Sequence, residues 1–229
     1  MRWYRGADGS QQLYIKDSAL EDIVEAELAK ARLTPTETAP VVDIEAFIER
    51  HLGATLDAGA DLEPTVLGLT ELRAGEAPSV LINRDLTDAA VEADAFSGTL
   101  GRWRATLAHE ATHVLLHRSV FELNADQMPL FGDAPDQARL FRCLKREVVF
   151  SARGRDPREV QANKGMAALL MPRGLFGTLA RARLRDRSER DLVDDLAQTF
   201  AVSRQATRIR LQTLGFLEPD GIYVLGLVP

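Results

Sequence analysis

The stretch "LAHEATHVLLH", residues 107–117, decides the fold because it sets three histidines at four-residue intervals. Side chains four residues apart lie on one side of a helix, one turn apart, so the imidazoles of His109 and His113 can reach one point. H-E-x-x-H on a helix therefore predicts two ligands of a metal site. Zn²⁺ is the expected ion, and Mn²⁺ or Fe²⁺ fit the same donors.

Glu110 follows the first histidine and lies roughly 100° further round the helix. Its carboxylate can then reach a water molecule beside the metal without binding the metal itself. A carboxylate in that place can take a proton from water and pass it to a leaving amine, so Glu110 is the predicted catalytic base. The alternative is a helix with surface histidines and an ordinary glutamate.

His117 continues the four-residue spacing, one further turn along. The longer pattern H-E-x-x-H-x-x-G-x-x-H requires glycine and histidine where this chain has Leu116 and Ser119, so that class is excluded. We interpret His117 as a helix-end residue, where its partial positive charge suits the helix dipole.

The third ligand must come from elsewhere, and a carboxylate is the expected type. The downstream candidates are Glu122, Asp126, Glu147, Asp156 and Glu159. Glu159 opens a firm helical pattern that runs from Asp156 to Met171, and Asn163 lies on the same side, where it can support a ligand. Asp156 and Glu159 also fit a capping box, and the pattern alone leaves both readings of Glu159 open.

Hydrophobic periodicity gives a coarse view of the rest of the chain. We predict helices and strands alternating along residues 17–117, and a helix within otherwise irregular residues 118–155. The predicted elements are helices at 17–33, 41–56, 99–117 and 136–150, and neighbouring strands at 65–73 and 78–85.

The C-terminal part differs in charge from the rest. Residues 173–210 hold nine arginines against five acidic residues, while the whole chain carries a net charge of −6. Two helices around a tight turn at 201–203, with Ser203 as a cap, and a hairpin at 216–228 predict a small winged-helix-like module. Its Arg204, Arg208 and Arg210 are candidate contacts to nucleic acid or to a partner, and a solvated or internally docked face is the alternative.

Composition bounds the class of protein. The chain has 229 residues, 45% of them hydrophobic and 27% charged, as in ordinary globular proteins. Its single cysteine, Cys143, allows no internal disulfide, and we expect it to be a small buried apolar group. No stretch resembles a signal peptide or approaches the roughly 18 apolar residues of a membrane span, so we expect a cytoplasmic protein without membrane contacts.

Three segments in this order resemble the ImmA/IrrE family of metallo-endopeptidases. They are "LAHEATHVLLH" (107–117), "EVQANKGMAALLMP" (159–172) and "LAQTFAVSRQATRIRLQTLGF" (196–216). The resemblance covers roughly residues 40–217, and it implies His109, His113 and Glu159 as zinc ligands, with Glu110 as catalytic base. It thus favours the ligand reading of Glu159 over the capping box.

The resemblance also implies the fold and the biological role. We expect an α+β fold: a zincin-like peptidase domain over residues 1–175, with residues 1–40 as a helical extension, and a winged-helix-like module over 176–229. The expected substrate is a helix-turn-helix repressor, whose cleavage relieves repression in a stress or mobile-element response. In zincin folds a strand binds extended substrate, and we expect that strand near Val80–Asn83.

The resemblance is imperfect in the second segment. Where many relatives carry an aromatic residue after Asn-x, this chain has Gly165, which we expect to weaken the helix and leave a space near the site. Tyr14, Tyr223 and C-terminal arginines are candidates to stabilise the oxyanion. The rival interpretation is a DNA-binding transcriptional regulator whose metal site is structural or sensory.

Overall fold

The structure is a computed structural model that describes residues 2–5, 11–92, 98–125, 138–144, 156–184 and 187–218. The structure combines eight described helices with two small sheets, consistent with the predicted α+β class. The strands are β1 (Arg2–Arg5), β2 (Gln11–Tyr14), β3 (Thr55–Ala60), β4 (Val66–Arg73), β5 (Ser79–Asn83) and β6 (Ala138–Leu144). The helices are α1 (Asp17–Ala31), α2 (Ile44–Ala46, continued by a π-helical turn Phe47–His51), α3 (Arg84–Glu92), α4 (Gly98–Ala125), α5 (Pro157–Leu170), α6 (Arg173–Leu184), α7 (Glu189–Phe200) and α8 (Arg204–Thr213).

The main sheet has the strand order β3-β5-β4-β6. Strand β5 pairs in parallel with β3 and antiparallel with β4, and β4 pairs antiparallel with β6. The predicted neighbouring strands at 65–73 and 78–85 are therefore confirmed. The predicted substrate strand near Val80–Asn83 is wrong, because β5 is paired on both sides and has no free edge.

Three predictions of secondary structure differ from what the structure shows. Residues 138–144 form β6 rather than part of a helix at 136–150, because they pair with β4. The N-terminal extension is not only helical: β1 and β2 form an antiparallel pair ahead of α1. The helix predicted at 41–56 ends at His51, and the chain enters β3 at Thr55 after Gly53, whose φ is +63°.

Helix α4 lies at the centre of the molecule, against the sheet on one side and α5 on another. Its Leu107, Ala111 and Val114 belong to one hydrophobic core that also takes in Val80 of β5 and Leu169 of α5. The same core continues into α6, α7 and α8 through Phe176, Phe200 and Leu211. The described residues on both sides of position 175 thus share one core.

The C-terminal helices follow the sequence prediction closely. Helix α7 ends at Ala201, which adopts a left-handed conformation with φ of +51°. Ser203 then caps α8 by accepting a hydrogen bond from the backbone N–H of Ala206. The predicted hairpin at 216–228 lies largely outside the described residues, as do the structures of Asp126, Glu147 and Tyr223.

Candidate metal centre

Helix α4 holds His109 and His113 on a fully enclosed side. Their exposed fractions are 2% and 0%, and the two Nε2 atoms lie 3.1 Å apart. The four-residue spacing thus has the effect expected from the sequence, since both imidazoles point their Nε2 atoms at one place.

Helix α5 brings Glu159 to the same place. One carboxylate oxygen, Oε2, lies 3.2 Å from Nε2 of His109, and the other, Oε1, lies 3.5 Å from Nε2 of His113. Among the described residues, these three side chains form a group whose ligand atoms all lie within 4.8 Å of one another.

The donor set fits a divalent metal ion. Two nitrogen ligands and one carboxylate oxygen are the donors of many catalytic zinc sites, which keep a fourth position open. Ligand atoms about 2.0–2.2 Å from a tetrahedral zinc ion are separated by roughly 3.3 Å. The two imidazole nitrogens lie 3.1 Å apart, and each lies 3.2 or 3.5 Å from one of the two carboxylate oxygens, so the separations are close to that spacing.

The capping alternative for Glu159 can be judged from the same geometry. Asp156 does cap α5, because its side chain accepts a hydrogen bond from the backbone N–H of Arg158, and Pro157 occupies the first turn. The carboxylate of Glu159 faces the two imidazoles instead of turning back to the cap. The helix start is thus stabilised by Asp156, while Glu159 lies at the histidines.

Asn163 follows Glu159 by one turn of α5. Its Oδ1 lies 3.2 Å from Nδ1 of His109, and the side chain is buried. An oxygen can only accept, so Nδ1 of His109 donates, and in the neutral ring Nε2 is then the nitrogen that can bind a metal. Metal-binding histidines are commonly held in this way.

His117 does not end the helix. Helix α4 continues to Ala125, and His117 is 4% exposed, so its interpretation as a charged helix-end residue is wrong. Burial, followed by the neighbouring His113, lowers the pKa of His117 to about 3, which leaves the ring neutral. Its Nδ1 lies 3.1 Å from Nδ1 of His113, the ring nitrogen that does not face His109 and Glu159.

Phe141 of β6 covers the histidines from the sheet. Its ring stacks on His113 with a centroid separation of 4.4 Å, and the guanidinium of Arg158 lies 5.7 Å from the centre of the phenyl ring. Sequence reasoning missed this aromatic residue because it interpreted residues 136–150 as a helix.

Glu110 is completely buried and faces strand β4. The hydroxyl of Thr70 donates to its Oε2 over 2.5 Å. A Cβ atom on Gly68 would come within 2.8 Å of Oε1, so the glycine lets the strand approach the carboxylate closely. The spacing of Gly68 and Thr70 on one face of a strand is a usable signal only once β4 is known to lie against α4.

Gly165 does not leave a space. A Cβ atom there would lie 2.3 Å from Cγ2 of Thr112, so the volume above the glycine is filled by the threonine of α4. The prediction of a vacant site is therefore wrong, because the completely buried Thr112 occupies that volume.

The charges at the centre depend on one another. Burial raises the pKa of Glu159, but the contacts with His109 and His113 outweigh it and hold that pKa well below its usual range. Burial lowers the pKa of His109, and the contacts with Glu159 and Glu110 outweigh it and raise that pKa above its ordinary value. Burial lowers the pKa of His113 to about 4, with partial opposition from Glu159.

The C-terminal arginines have different surroundings from those expected. Arg210 is 2% exposed and forms a two-pronged ion pair with Glu21 of α1, while it also donates to the backbone oxygen of Met171. Its prediction as a surface contact is wrong, because its charge is buried within the chain. Arg204 and Arg208 remain partly exposed and pair with Asp194 and Glu189 of α7.

Comparison with known families places this geometry in context. Residues 142–212, about a third of the chain, match the family model described as peptidase M78, IrrE N-terminal-like domain. The resemblance to the ImmA/IrrE family is therefore confirmed, and it supports a peptidase. The matched segment contains Glu159 and Asn163, while the H-E-x-x-H motif precedes it. A comparison with curated proteins finds no match.

The length and apolar character of the helices bear on the prediction that the protein makes no membrane contact. In the ranges that the structure describes, none of the helices combines the length and the apolar character needed to cross a bilayer.

Proposed function

We propose that this chain is a zinc-dependent endopeptidase in which His109, His113 and Glu159 hold the metal and Glu110 is the catalytic base. The observation that carries the proposal is the convergence of two imidazole nitrogens and one carboxylate, from two helices, with ligand atoms within 4.8 Å of one another. Bound zinc would polarise the scissile carbonyl and lower the pKa of a water molecule.

Glu110 supplies the proton transfers. Its carboxylate takes a proton as the water oxygen adds to the carbonyl carbon, and returns it to the nitrogen as the C–N bond breaks. The hydrogen bond from Thr70 fixes the orientation of this carboxylate, since it holds Oε2 against β4. Burial of the whole group excludes competing water and strengthens its interactions.

The substrate that we propose is a protein, a helix-turn-helix repressor whose loss would derepress a stress or mobile-element response. The family resemblance supports it. For the extended substrate segment we propose β6 in place of β5, because β6 is an edge strand of the described sheet and its Phe141 stacks on His113.

We keep the expected division into residues 1–175, as the peptidase part, and 176–229 as a proposal. The change in charge along the sequence and the helix-turn-helix arrangement of α7 and α8 support it. We also keep the cytoplasm as the proposed compartment, since a single cysteine suits a reducing environment.

The rival role, a DNA-binding regulator with a structural or sensory metal, receives less support. Of its three proposed contacts, Arg210 is buried, and Arg204 and Arg208 are paired with acidic residues of α7. Each such pair reduces the positive charge that phosphates would meet.

The test is coexpression of the protein with helix-turn-helix repressors encoded near its gene, followed by detection of cleaved repressor. We expect cleavage by the wild type and none by Glu110→Gln, which should still bind zinc. Glu122→Gln is the matched control, because Glu122 lies on the same helix but is exposed and pairs with Arg118. If Glu110→Gln cleaves as well as the wild type, the peptidase mechanism fails.

A further inference from the structure

A chain of three polar contacts runs from His113 away from the metal-facing side. Nδ1 of His113 lies 3.1 Å from Nδ1 of His117, and Nε2 of His117 lies 3.2 Å from Oε1 of Gln161. The amide nitrogen of Gln161 donates to the backbone oxygen of Leu13 in β2 over 2.6 Å. All three side chains are buried, so these contacts replace those with water.

The far end of this chain fixes the direction of every hydrogen bond in it. A backbone carbonyl only accepts, so the Gln161 nitrogen must face Leu13 and its oxygen must face His117. That oxygen accepts from Nε2–H of His117. In a neutral imidazole the other nitrogen is then an acceptor, and it takes the proton of Nδ1–H of His113.

The result for His113 is a defined tautomer. Its proton lies on Nδ1, and the lone pair of Nε2 faces Glu159 and His109. Asn163 imposes the same arrangement on His109 from the other side, because its Oδ1 accepts from Nδ1. Both hydrogen bonds favour the tautomer whose Nε2 can bind a metal, which is the function of such supporting hydrogen bonds in metal sites.

We propose that His117 and Gln161 are positioning residues that hold His113 in its metal-binding tautomer, with the backbone of Leu13 as the anchor. This proposal rests on the proposed zinc site. It assigns a function to the third histidine of "LAHEATHVLLH", and it connects the N-terminal β1–β2 pair to the metal centre.

The first test is independent of metal. Long-range ¹H–¹⁵N correlation spectra of the metal-free full chain, with labelled histidine, report which ring nitrogen carries the proton. We expect His113 protonated on Nδ1 and His117 on Nε2. A spectrum with the His113 proton on Nε2 would overturn the proposal.

The second test measures zinc affinity by competition with a chromophoric chelator. His117→Phe keeps a ring that can stack on Phe141 but has no nitrogen. Gln161→Leu has a side chain of similar size but breaks the link between His117 and the backbone of Leu13. We expect both to bind zinc about 10- to 100-fold more weakly than the wild type. His117→Asn, whose amide oxygen can accept from His113, should recover part of the loss.

The control is His51→Phe, because His51 pairs with Glu27 and takes no part in the hydrogen bonds from His113 to Leu13. The zinc affinity of this variant should equal that of the wild type. If His117→Phe does not fold, Gln161→Leu and the spectra decide. Wild-type affinity in a folded His117→Phe or Gln161→Leu overturns the positioning role. A wild type that binds no zinc overturns the proposed function instead, while the spectra still test the tautomer.

Discussion

Gly165 of α5 lies directly against Thr112 of α4, so closely that a Cβ atom on the glycine would meet the Cγ2 atom of the threonine at 2.3 Å. This contact lets the helix of Glu159 approach the helix of the two histidines. The distances between Glu159 and the two histidines depend on that approach, since these proposed ligands come from both helices.

Gly165→Ala should therefore destabilise the protein by about 1–3 kcal/mol through overpacking, although alanine is the better helix former. Thr112→Ala combined with Gly165→Ala should recover more than half of the loss, because it removes the clashing atoms. Denaturant unfolding of both single variants and the double variant measures the coupling. Additive effects would mean that the two residues do not limit the helix separation.

Thr70→Val should lower kcat for cleavage about 10-fold or more, because a hydrogen bond to a charged group contributes about 1.5–3 kcal/mol. Zinc affinity should stay unchanged, since Thr70 contacts the base and not the ligands. Thr70→Ser should restore most of the activity. The control is Thr106→Val, whose hydroxyl donates to the backbone oxygen of Arg102. Equal loss in Thr70→Val and Thr106→Val would indicate a packing effect instead.

Arg210→Ala should destabilise the chain by about 3–5 kcal/mol, because it leaves the carboxylate of Glu21 without its buried partner. Arg204→Ala, at an exposed pair, should cost less than about 1 kcal/mol. Thermal and denaturant unfolding measure both. A stable Arg210→Ala variant that had lost affinity for DNA would support the regulator instead.

A substrate strand added to β6 should use alternate backbone groups, because hydrogen bonds along an antiparallel pair alternate between residues. Single N-methylation along a cleaved peptide removes one donor at a time. We expect the cleavage rate to fall when the methyl group is placed at every second residue, although the side chains are unchanged. A loss that depends only on distance from the scissile bond would argue against strand addition.

The sequence predicts the centre better than its surroundings. His109, Glu110 and His113 follow from spacing within one helix, and Glu159 needed the family resemblance because its local pattern also fits a cap. The contacts of Thr70 and Phe141 could not be predicted, since they depend on which strands pair beside α4. The strand β6 carries apolar residues at spacings that also suit a helix, and pairing with β4 decides between them.

The burial of His117 could have been predicted from the helical pattern of the sequence. Helix α4 continues past it, and the buried Val120 continues the apolar face for another turn. A histidine within a helix, on the side of two buried histidines, is itself expected to be buried. The burial of Arg210 carried no such signal, because its partner Glu21 lies at the other end of the sequence.

The most direct test of the metal centre is the zinc stoichiometry and affinity of the wild type compared with Glu159→Gln, with Glu122→Gln as the control. We predict one zinc ion per wild-type chain and per control chain, and binding weaker by about 100-fold or more when the carboxylate of Glu159 is replaced by an amide. A wild type without bound zinc, or a Glu159→Gln variant that binds zinc as tightly as the wild type, would contradict the account.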